Sequence, residues 1–214
     1  MRIYAYVDAF NFYYGLTKDT PYRWCNLAKL CQILLPDDPV DVIKVFAAYS
    51  KSFPTNPGAH LRQKSYLRAL QSVQNIELYM SKFSPADRYF PLSDKLPGET
   101  EKVMVRFTKE KGSDVKLASQ LLLDGFQDAY DMAILFTNDS DLAMPIRLAR
   151  YELGKRIGVF LTSRPPDPSR PGSQDLMKYA NFHKLVTADM LATSQFPDSF
   201  TGENGKLIAR PPGW

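Results

Sequence analysis

Five short apolar runs, rich in β-branched and aromatic residues, recur along the chain with helical segments between them, and this alternation narrows the fold more than any other feature. The runs cover residues 3–7, 40–49, 76–80, 132–136 and 157–161. Their length and make-up predict buried strands. Asn26 is placed to cap a helix through Leu27, Leu30, Cys31 and Leu34 that Pro36 ends, and Pro57 to open a second, whose Leu61, Leu67, Leu70 and Val73 share one side. Further helices are predicted from Ser113 to about Phe126 and from about Asp141 to Glu152, the latter ended by Gly154. Strand and helix in repeated alternation predict an α/β fold with a largely parallel five-stranded sheet and helices on both faces. The 214 residues suffice for one core.

Two segments depart from the rhythm. Residues 83–110, punctuated by Pro85, Pro91, Pro97 and Gly98, read as a hairpin-like insertion. Residues 163–214 read as a Pro-rich loop, a short helix near Gln174 and an irregular extension packed on the same domain. Cys25 and Cys31 are too few for a disulfide scaffold and form no CxxC pair, so a reducing cytoplasm is the expected location. No run approaches the length of a membrane span, and Asp8 interrupts the first apolar run too early for a secretion signal.

In open sheets of this kind ligands bind outside the carboxyl ends of the strands, where the strand order reverses. Asp8 ends the first predicted strand, and Asp139 and Asp141 follow the fourth, its neighbour at the reversal. Asp114 opens a crossover helix, which starts above the same edge. Pro145 is tolerated only in a helix's first turn, so Asp139 and Asp141 fall in the strand-to-helix turn. Helix capping accounts for any one of these acids alone. Four together would repel one another unless a cation held them, and hard oxygen donors suit Mg²⁺ or Mn²⁺. Such a cation activates water and stabilises charge on a phosphodiester.

The segments Tyr6-Val7-Asp8-Ala9-Phe10-Asn11, Lys111-Gly112-Ser113-Asp114 and Thr137-Asn138-Asp139-Ser140-Asp141-Leu142, with Gly154-Lys155-Arg156 downstream, resemble the NYN domain, the LabA-like branch of the PIN-like nucleases. The resemblance spans roughly residues 1–162. It implies a Rossmann-like PIN-type fold and a metal-dependent endoribonuclease. By position it implies Asp8, Asp114, Asp139 and Asp141 as metal ligands using Mg²⁺ or Mn²⁺, with Asn11 completing the catalytic set. Many members carry a further acid where this chain has Gln120. A PIN-like module that binds RNA or a protein without cutting is therefore the alternative reading.

The expected partner is RNA and no membrane, with a homodimer or a protein partner left open. From Lys82 to Lys116 eight basic and six acidic residues interleave with Tyr89, Phe90 and Phe107, a segment large enough to wall the crevice. Its aromatics suit either base stacking or packing. Tyr13 and Tyr14 carry the same two readings. His60 and His183 lie on unrelated segments, no GxGxxG follows a strand, and an aspartyl phosphatase would need an acid where Phe10 stands.

Overall fold

A computed structural model describes residues 1–49, 56–92, 102–162, 173–202 and 205–214. β1 (Ile3–Asp8), β2 (Val42–Ala48), β3 (Ile76–Pro91), β5 (Met132–Phe136), β6 (Arg156–Leu161) and β7 (Phe182–Leu185) are parallel, and β4 (Lys102–Lys111) runs antiparallel to β3. The strands lie in the order β4-β3-β2-β1-β5-β6-β7, which reverses between β1 and β5 as the sequence predicts.

Residues on alternate sides of β1 build two cores, because successive side chains on a strand point to opposite faces. Ile3, Ala5 and Val7 pack with Leu27, Leu30, Cys31 and Leu34 of α2 (Leu27–Leu34) and with Leu67 and Leu70 of α3 (Ala59–Gln71), α1 being the short helix Ala9–Phe12. Tyr6 packs with Leu117 and Leu121 of α4 (Ser113–Phe126), Ile146 and Ala149 of α5 (Ala143–Tyr151), and Leu176 of α6 (Gln174–Tyr179). A strand covered on both faces is largely apolar, which is why β1, β2, β5 and β6 read as near-continuous runs instead of alternating ones. Both cysteines are buried in the first core, and burial pushes the Cys25 thiol up to about 12.

The sheet holds six parallel strands where five were expected. The sixth, β7, is an edge strand reading Phe-His-Lys-Leu whose last three residues are exposed, so it never shows the apolar run that marks an inner strand. The insertion is a prolongation of the third strand: β3 passes out of the sheet beyond Ser81 and pairs with β4 from Lys82↔Lys111 to Pro91↔Lys102. The chain ends with α7 (Ala188–Thr193) and the small hairpin of β8 (Ser199–Thr201) and β9 (Leu207–Ala209), which the sequence reads as irregular. The Pro-rich loop expected at 164–172, and the turn expected around Pro97 and Gly98, lie outside the described residues.

A polar network is set into the second core. Asp124 of α4 accepts from Lys44 Nζ at 2.7 Å and Tyr6 OH at 2.6 Å on one oxygen, and from Gln120 Nε2 at 2.7 Å on the other. Lys44 and Asp124 are 6% and 5% exposed. Lys44 Nζ also faces Glu77 at 4.0 Å and lies over the rings of Tyr4 and Tyr79. This network ties the lower part of α4 to β1 and β2.

Candidate metal centre

Asp8 closes β1 in an extended conformation and caps α1, accepting from the backbone N–H groups of Phe10 and Asn11 at 3.0 Å each. The Asn11 side-chain amide donates to its second oxygen at 2.5 Å, and Thr137 Oγ1 lies 3.5 Å from that same oxygen. Asp139 enters from the adjacent β5. Its N–H donates to Thr137 Oγ1 at 3.1 Å, and its carboxylate caps the single 3₁₀ turn Ser140–Leu142 by accepting from the N–H of Asp141 at 3.0 Å. Asp114 stands in the first turn of α4, after Gly112, whose φ of 89° is left-handed and therefore suited to glycine. That turn passes the chain from β4, which returns to the carboxyl edge of the sheet, into a helix descending along it.

One carboxylate oxygen from each of Asp8, Asp114 and Asp139 lies within 4.8 Å of the other two. Of the five residues singled out from the sequence, three acids thus meet and Asn11 is bonded to one of them. The Asp141 carboxylate is exposed and stands outside that group, its backbone serving the Asp139 cap. Thr137, quoted in the motif but given no role there, bridges Asp8 and Asp139. The signal for it was a threonine closing an otherwise apolar buried strand. Gln120 and Asp124 spend their polar atoms in the core network, about 9 and 15 Å down the helix from Asp114.

Asp8 is 3% exposed. Burial raises its carboxyl above the ordinary range, the bonds from Asn11 and Phe10 oppose that, and the charge of Asp139 adds to it. Among the described residues neither Asp8 nor Asp139 has a Lys or Arg ion-pair partner. A buried carboxylate with like charges beside it and no cationic side chain opposite fits a divalent cation held by hard oxygen donors. Asn11 fixes the orientation of Asp8, as outer groups commonly do for ligands.

Phe10 and Tyr14 stack beside this centre with ring centroids 6.1 Å apart, and Lys18 Nζ lies 5.2 Å from the Tyr14 ring. The turn Tyr13–Thr17 that carries Tyr14 is wound as a π-helix and lies hard against the end of β6. A Cβ on Gly15 would sit 1.7 Å from the carbonyl oxygen of Thr162, so only glycine fits there.

Comparison with known proteins agrees with this architecture. A Pseudomonas putida protein, 6-hydroxy-3-succinoylpyridine 3-monooxygenase, is 29% identical over an alignment covering 100% of this chain and 75% of its own length. The crystal structure of a Vibrio parahaemolyticus protein of unknown function superposes with a TM-score of 0.54 at 18% identity, covering 88% of this chain and 94% of that one, and shows the same fold. No described helix is long and apolar enough to cross a membrane. The NYN domain profile matches residues 2–185, most of the molecule and all three converging acids, and the chain belongs to that family, within the PIN-like nuclease superfamily.

Proposed function

We propose that the protein is a metal-dependent endoribonuclease that hydrolyses RNA phosphodiester bonds using Mg²⁺ or Mn²⁺. The observation that carries the reading is the meeting of Asp8, Asp114 and Asp139 within 4.8 Å at the carboxyl edge of the sheet. These three would hold the cation, which supplies an activated water and stabilises charge on the phosphodiester. Asn11 keeps Asp8 turned toward the site through its amide bond. On this reading the exposed Asp141, two residues after Asp139, would orient water or accept its proton. The exposed ring of Tyr14, backed by Phe10, offers a face on which an unpaired base can stack.

Labelled single-stranded RNA incubated with chelator-treated protein tests this. Cleavage is expected after adding Mn²⁺ or Mg²⁺ and lost in Asp139→Asn. Cleavage by that variant at the parental rate, or none with either metal, refutes the reading.

The Pseudomonas putida relative favours a second reading, since it is by name a 6-hydroxy-3-succinoylpyridine 3-monooxygenase and this whole chain aligns with 75% of its length. On that reading the Phe10–Tyr14 stack would receive a small heteroaromatic ring in place of a base. Reductant oxidation and O₂ uptake dependent on a hydroxypyridine, without RNA cleavage, would support it. Tight RNA binding with no turnover under any metal would leave a non-cutting module, the outcome that Gln120 in place of a further acid prepares for.

A further inference from the structure

We propose that the β3–β4 ribbon is a docking arm for single-stranded RNA, and that one of its two faces carries the contact. The inference takes RNA as the ligand from the reading above. Beyond Ser81 these strands leave the sheet and, among the described residues, pair only with each other, from Lys82↔Lys111 to Pro91↔Lys102. An isolated two-stranded ribbon has no third layer on which to bury either side. Tyr89 and Met104 are accordingly 65% and 63% exposed, and Arg88, Phe90, Val103 and Val105 are exposed as well.

The charge of the molecule is concentrated on this ribbon. Six of the chain's 27 basic residues and two of its 23 acidic ones stand on the paired strands, which leaves 21 of each elsewhere. The entire excess of four therefore resides on these strands; the connecting residues 93–101 carry Lys95 against Asp94, Glu99 and Glu101 in sequence.

The register then divides the six. Cross-strand partners share a face and successive residues alternate. One face takes Lys82 and Lys111, Lys109, Arg88 with Val105, Phe107, and Phe90 with Val103. The other takes Phe83 with Glu110, Asp87 with Arg106, Tyr89 with Met104, and Lys102 with Pro91. Each face thus carries two aromatic positions, and the faces differ in charge: four basic residues and no acid on the first, two of each sign on the second. Lysines that merely protect an exposed edge from pairing would do so from either face. Cations gathered on one side match a phosphate backbone, and the exposed Phe90, two residues along the strand from Arg88, gives an unpaired base a ring to stack on. The position also suits delivery to the candidate metal centre, since β3 leaves the sheet at the carboxyl edge and β4 ends at Lys111, three residues before Asp114.

Fluorescence anisotropy with a labelled oligouridylate, in chelator so that cleavage plays no part, tests the arm. The pair Lys82→Ser and Arg88→Ser is compared with Lys102→Ser and Arg106→Ser, which removes the same charge from the opposite face. The first pair is expected to weaken binding about tenfold and to flatten the slope of log affinity on log salt by about 1.4, two single-strand phosphate contacts, with a markedly smaller effect of the second pair. Phe90→Ser should cost roughly a further tenfold through lost stacking. Equal losses from both faces, no binding by the parent chain, or a change of sedimentation with unchanged RNA affinity would overturn the proposal, the last assigning the ribbon to contact between copies. Binding that follows the expected pattern without metal-dependent cleavage would sink the nuclease reading and leave the arm standing.

Discussion

Replacing Lys44 by methionine should be among the most damaging single changes in the molecule, although it lies well below the carboxylates. Lys44 Nζ sits 2.7 Å from Asp124, and both groups are almost fully buried. Burial alone would push the ammonium's pKa down, but the bond and charge of Asp124 outweigh it and hold it above the ordinary value. Methionine keeps the volume and leaves Asp124 as an uncompensated buried charge, which costs about 3–5 kcal/mol. At about 2–4 °C per kcal/mol for a chain of this size, the melting temperature should fall by about 6–20 °C.

Asp124→Asn should cost less, because Lys44 retains Glu77 at 4.0 Å and two aromatic rings. Combining Lys44→Met with Asp124→Leu removes both charges but strands the Tyr6 hydroxyl, which is bonded to Asp124 at 2.6 Å, so about 1–3 kcal/mol should remain. Adding Tyr6→Phe should recover most of that. Urea unfolding of the four variants at neutral pH measures the series. A cost under about 1 kcal/mol for Lys44→Met, or a double variant no better than the single, would refute the account of a charge held in place by its partner.

Other outcomes follow from the site and its supports. Asn11→Ala should leave the fold intact and weaken Mn²⁺ binding about 10- to 100-fold by titration calorimetry, because Asp8 loses the amide that orients it. Gly15→Ala should destabilise by about 1–3 kcal/mol in thermal unfolding, since the new methyl meets a backbone carbonyl that cannot swing aside. At the opposite end of the sheet Arg2 holds Asp131 down at about 2, and Arg2 with Lys155 lowers Asp128. A depressed carboxylate contributes stability above its unfolded pKa and loses it as pH falls, so this contribution should fade from about pH 4 toward pH 2 and be smaller in Arg2→Ala, which keeps Lys155 on Asp128 and the backbone N–H on Asp131. Acid titration followed by circular dichroism would show whether the two proteins' profiles converge there.

The parts of the fold that were legible in the sequence are those where burial dictates composition. β1, β2, β5 and β6 are covered on both faces, and their apolar runs, interrupted within the strands only by Lys44 of β2, announced them. β7 closes an edge with its last three residues in solvent, and nothing in Phe-His-Lys-Leu separates such a strand from a loop. The same reasoning explains the insertion. Its paired strands show as short aromatic and β-branched runs between prolines, but that β3 simply continues out of the sheet depends on hydrogen-bond register, which composition does not encode.

The site divides along a similar line. Asp8, Asp114 and Asp139 were readable because each stands where an element begins or ends, and topology brings those ends together. Asp141 shares the turn with Asp139, yet its carboxylate stands outside the group of three, and the part it plays there is its backbone N–H, which donates to the Asp139 carboxylate. Sequence spacing places an acid at an edge without giving the direction of its side chain. Direction here is set by capping: Asp8 is held by two N–H groups and an amide, Asp139 by one N–H, and both caps anchor carboxylates that repel each other. The local hydrogen bonds that would stabilise any helix start thus also hold like charges together, and that opposition is what a divalent cation would relieve.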